Sequence, residues 1–118
     1  MKKIILYLLL YSSVFATSNL EWQKENSDLR LTFNDAVKYC NKLSLYQKND
    51  WRLATLGELT DLSKKTDFIK SDKPYYVWSS TVYRHFTKAA WFVSFSDYYQ
   101  HFSIKTNNLH VKCVRGAI

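Results

Sequence analysis

The chain has 118 residues, 17 basic against 10 acidic, and a formal net charge of +7. It is 47% hydrophobic and 17% aromatic, with two glycines, one proline and two cysteines. That length supports one domain with one modest core, and the sequence excludes internal repeats, low-complexity tracts and linkers.

Met1-Lys2-Lys3 is a short positive segment, Ile4 to Tyr11 is apolar, and Ser12 to Ala16 ends in small residues at the positions a signal peptidase reads. This pattern predicts a secretory signal peptide over 1–16, cut after Ala16 and too short to span a membrane. The predicted mature domain is 17–118, which is 102 residues once the first 16 of 118 are removed. Removing Lys2 and Lys3 leaves 15 basic residues of 17 against 10 acidic ones, a charge of +5. Scattered basic charge in an exported chain suits anionic glycans or an envelope partner, and export makes nucleic acid the least fitting partner.

Leu20 to Lys24 alternates apolar and polar residues and predicts a short strand; Glu25 to Arg30 predicts a turn. Thr32 with Asp35 three residues on reads as a helix-capping box. The helix behind it would bury Ala36, Val37, Cys40 and Leu43. Thr55 and Glu58 repeat the device, with Leu56, Leu59 and Leu62 as the buried face and Lys64 and Lys65 at the negative end of the helix dipole. Residues 63–74 read as a polar loop closed by Pro74. Beyond it the signal is β: Tyr75 to Ser80, then Trp91, Val93 and Phe95 alternating with Phe92, Ser94 and Ser96, then Phe102 and Ile104, then Val111 to Arg115. A short strand, two helices and several antiparallel strands make an α+β domain.

Cys40 and Cys113 are the only cysteines. In an exported chain an even pair predicts a disulfide; a metal site would need further ligands at matched spacing, and a redox pair usually has two intervening residues. The bridge would tie the first helix to the last strand.

The stretches LEWQK, AVKYCNKL, NDWRLATLGEL, YVWSST, AAWFVSFS and VKCVR occur in the order and spacing of the Lcl C-terminal domain family, which the chain resembles over nearly all of its predicted mature part. This is a bacterial domain of largely unknown function named after a collagen-like adhesin. It is similar in fold to C-type lectin and sulfatase-modifying-factor domains, which implies paired first and last strands and the Cys40–Cys113 bridge. The sequence departs from the family's pattern in three places. Ala54 replaces a proline, SDYYQH at 96–101 replaces a glycine turn, and Lys112 replaces an arginine.

Trp51, Arg52, Trp78 and Trp91 read as structural residues. Trp51 and Leu53 should face the core, with Arg52 on the other side, its stem buried and its guanidinium bonded to carbonyls or a carboxylate. No catalytic residue is predicted. Ser79 and Ser80 lack a nucleophile-elbow motif, and sulfatase-modifying chemistry needs a reactive cysteine pair that the bridge would consume. No metal or cofactor is predicted, since the calcium-lectin motifs are missing. The remaining expectation is a non-catalytic binding module, exported to periplasm, cell surface or medium and not membrane-spanning once cut. Its candidate ligand residues are Tyr83, Arg84, His85, Lys88, Tyr98, Tyr99, Lys105 and Lys112, where cations beside flat rings suit acidic glycans. The alternatives are a structural periplasmic domain that binds a partner protein and a degenerate enzyme of the sulfatase-modifying type.

Overall fold

The computed structural model describes residues 19–24, 28–65 and 74–116. The predicted signal peptide, part of the predicted turn at 25–27 and the loop over 66–73 lie outside the described residues. In chain order the elements are β1 (Glu21–Trp22), β2 (Arg30–Leu31), α1 (Phe33–Lys42), β3 (Arg52–Leu53), α2 (Leu56–Lys65), β4 (Tyr76–Val82), β5 (Ala89–Ser94), β6 (Gln100–Ile104), β7 (Leu109–His110) and β8 (Cys113–Arg115).

Both helices start where their caps lie. The Thr32 hydroxyl accepts from the Asp35 backbone N–H at 3.4 Å. The second cap is reciprocal: Glu58 N–H donates to Thr55 Oγ1 at 3.2 Å, and Thr55 N–H to Glu58 Oε1 at 2.9 Å. Each bond satisfies an amide that a helix start leaves without a partner. The second helix runs through Lys65, three residues into the stretch expected to be loop.

Two sheets form. The small one has the order β1-β8-β3, so the first and last strands pair, as the family resemblance implied. The large one has the order β2-β7-β4-β5-β6 and is antiparallel except between β4 and β7. The final strand expected over 111–115 is shorter: β7 ends in the large sheet, Val111 and Lys112 cross over, and β8 begins in the small one.

α1 packs on one face of the large sheet, where Phe33, Ala36 and Cys40 meet Trp51, Trp78, Ala90 and Phe92. α2 packs on the other, where Leu59 and Leu62 meet Val77, Val93 and Phe95. With helices on both faces, β5 is buried at five of its six positions, so the alternation read at 91–96 does not mark one wet face. Cys40 and Cys113 are bonded, with a Cα–Cα distance of 5.5 Å across 73 positions of sequence. Both are fully buried, and the bond ties α1 to β8.

Candidate functional site

Arg52 is a brace within the fold. Its two terminal nitrogens each reach a Glu58 carboxylate oxygen at 2.8 Å, and Nη1 also donates to Leu53 C=O at 3.4 Å. Trp51 and Leu53, on either side of it, are buried. Glu58 therefore caps α2 and fixes Arg52 at once. The guanidinium is the main cause holding the Glu58 carboxyl below its ordinary range. Arg115 is tied down in a similar way, to Asp50 at 2.6 and 3.0 Å and to Glu21 at 3.0 Å.

The eight residues singled out as ligand candidates separate into different places. Tyr83, Arg84, His85 and Lys88 stay together in the connection between β4 and β5, which folds back through Tyr83 N–H to Ala89 C=O at 2.9 Å. The Tyr83 ring stacks on Phe102 with centroids 4.1 Å apart and planes 11° apart. Trp91 meets both edge-on, at 5.5 and 5.6 Å, because the β5–β6 register sets Trp91 opposite Phe102. Trp91, expected as a purely structural residue, is only half-buried. Arg84, His85 and Lys88 are exposed beside this cluster. Three apolar residues that the sequence did not single out as site residues complete the surface: Phe86 is 49% exposed, Phe102 49% and Ile104 45%.

Lys105 joins the same end of the sheet through its N–H to Lys88 C=O at 2.8 Å. Its ammonium, however, sits 4.9 Å over the Phe33 ring, on the α1 side. Tyr98 and Tyr99 lie beyond the opposite end of β6, four residue steps or about 13 Å of strand away. They are exposed, and Tyr99 meets His101 at 5.7 Å. Lys112 does not belong to any exposed basic face. It is 1% exposed, and burial pushes its ammonium down to about 8. The crossing between the two sheets carries it inward.

A separate concavity of about 560 Å³ lies at the β2–β7–β4 side, lined by Asp28, Arg30, Tyr75, Tyr76, Leu109 and His110 among others. Tyr75 and His110 stack there at 4.0 Å. Burial, and then the nearby Arg30, hold the imidazole below its ordinary range. None of the predicted ligand residues lines it. Ser79, one of the two serines weighed as nucleophiles, is buried and donates to Trp91 C=O at 2.7 Å, as a strand-packing residue would. Among the described residues, no three His, Cys, Asp or Glu side chains gather as a metal site, and no helix is long and apolar enough to cross a membrane.

These features define a disulfide-bonded α+β domain with an open aromatic surface at one end of its larger sheet. The chain belongs to the Lcl C-terminal domain family, whose profile matches residues 16–115. Comparison with curated proteins finds no match.

Proposed function

We infer that this chain is an exported, non-catalytic binding module that holds an acidic glycan at the cell envelope on the surface of Tyr83, Trp91 and Phe102. The observation that carries this reading is the stacked Tyr83–Phe102 pair, with Phe102 exposed and Tyr83 half-buried, beside the exposed Arg84, His85 and Lys88. Flat rings offer a stacking face for a sugar ring, and the neighbouring cations suit sulfate or carboxylate groups. The export reading rests on the predicted signal peptide and on a disulfide that fits an oxidising compartment. The non-catalytic reading is supported by both cysteines being spent on each other.

A glycan array and a heparin column test it. Sulfated or uronic-acid glycans should bind, and Phe102→Ala and the pair Arg84→Ala with Lys88→Ala should each weaken retention. Elution at the salt of an equally basic control protein, with no array signal, overturns the glycan reading. The exposed Phe86 and Ile104 side chains favour a second reading, an envelope protein as the partner. Crosslinking and co-purification in which Phe86→Ser loses the partner would support it.

A further inference from the structure

The concavity at the β2–β7–β4 side is built on a row of three side chains that the strand register sets in order. Arg30 lies opposite His110, and His110 lies beside Val77. Cross-strand partners share a face of a sheet, and so do residues two apart on one strand. Tyr75, two positions before Val77, extends the row: its C=O accepts from Phe95 N–H at 2.9 Å, which continues the β4–β5 ladder. Tyr75, His110 and Arg30 therefore stand side by side across three strands, on the face where α2 covers Val77. All three line the concavity.

The rings of this row are held in place by the fold itself. Tyr75 meets Phe95 edge-on at 6.4 Å and stacks on His110 at 4.0 Å, with planes 18° apart. The Tyr76 backbone hydrogen-bonds the imidazole. One face of the imidazole is spent on Tyr75. The other turns toward Arg30, because β7 lies between β4 and β2. A flat ring laid there continues an existing stack and orders little that is not already ordered.

The charges lining the space limit what that ring can carry. Arg30 and Asp28 both line it, and both are exposed. One negative charge on a ligand matches Arg30, whereas a second would face Asp28. A guanidinium grips the two oxygens of a carboxylate in a two-pronged geometry. The volume of about 560 Å³ is that of a small-molecule site.

We propose that this concavity binds a small aromatic monocarboxylate, its ring on the open face of His110 and its carboxylate paired with Arg30. The site shares no residue with the Tyr83–Phe102 surface and does not depend on any glycan.

An NMR titration of the purified, disulfide-bonded protein with benzoate at neutral pH, read at the His110 ring and the Arg30 side chain, tests it. Benzoate should shift both signals with a Kd of about 1 mM, as suits so small a ligand. Acetate keeps the charge without the ring, and benzyl alcohol keeps the ring without the charge. Each should bind at least about tenfold more weakly. Phenyl phosphate, whose charge at neutral pH approaches about −2, should also bind more weakly than benzoate. Arg30→Gln should weaken benzoate at least about tenfold, and Arg30→Lys should restore only part. Should Arg30→Gln not fold, Asp28→Asn should tighten benzoate about twofold or more. Lys38→Gln, at an exposed position of α1, removes the same charge and should leave binding unchanged. No shift up to about 20 mM benzoate, acetate or phenyl phosphate binding as tightly as benzoate, equal losses from Arg30→Gln and Lys38→Gln, or an affinity indifferent to both Arg30→Gln and Asp28→Asn would overturn the proposal.

Discussion

Around β8, the protein pairs its charges and its cysteines. Arg52 holds Glu58, Arg115 holds Asp50 and Glu21, Lys48 reaches Glu21 at 3.0 Å, and Cys40 is bonded to Cys113. Around β6, the contacts are between rings: Tyr83 on Phe102, Trp91 against both, His85 against Tyr83. The first region uses side chains to hold elements together. The second fixes the orientation of large apolar groups without covering them. A surface ring restrained by other rings loses little freedom when a ligand arrives, which is what a binding face needs. The comparison separates residues that tie elements together from rings that the fold orients without enclosing.

Removing the bridge with Cys40→Ala and Cys113→Ala together should have the largest effect, a loss of about 4 kcal/mol for a closed loop of 73 positions. Guanidinium melts would measure it, and a loss under about 1 kcal/mol would mean the β8 region owes its order to something else. Arg52→Ala should come next, at about 2–3 kcal/mol, because it leaves a largely buried carboxylate without its partner. Lysine at that position should restore only part, since it lacks the two-pronged geometry. The same variant tests the acid limb. The folded Glu58 carboxyl lies below its unfolded value, so its contribution is present above the unfolded pKa of about 4.3 and is lost as pH falls through the folded value. Arg52→Ala should flatten that loss.

Lys112 is the group near β8 whose burial opposes folding. Its folded pKa is about 8 against an ordinary 10.5, so between those values the unfolded chain binds more protons. Stability should therefore rise with pH across that window, by on the order of 2 kcal/mol. Melts at pH 8 and pH 10 should show the slope, and Lys112→Met should abolish it. The smallest effects belong to the β6 region. Tyr83→Ala and Phe102→Ala should each cost about 1 kcal/mol or less, with a coupling between them of roughly 0.5–1.5 kcal/mol in a double-mutant cycle. A loss above about 3 kcal/mol for either would place the cluster in the core and erase the contrast.

Local chemistry was the most legible part of the sequence. Thr32, Thr55 and Glu58 announce the helix starts because a cap is set by residues three positions apart. Arg52 was legible because Trp51 and Leu53 alternate around it. Lys112 was not, since a strand read straight through 111–115 gives no sign that the chain changes sheets there. Periodicity also says which face a residue occupies without saying what covers that face. α2 has ten residues. It covers Val77 and Val93 and reaches β6 through the Gln100 amide, which donates to Thr60 at 2.6 Å. Trp91 and Phe102 lie two positions further along the ladder on the same face, past its cover. Tyr98 and Tyr99 looked like neighbours of Tyr83 only in composition, because the length of β6 holds them apart.

The position of β8 between β1 and β3 governs the timing of folding. A chain that emerges amino end first must keep both strands waiting, along with the Cys40 thiol, until residues 113–115 arrive. The small sheet and the covalent tie are then completed together, by the arrival of β8.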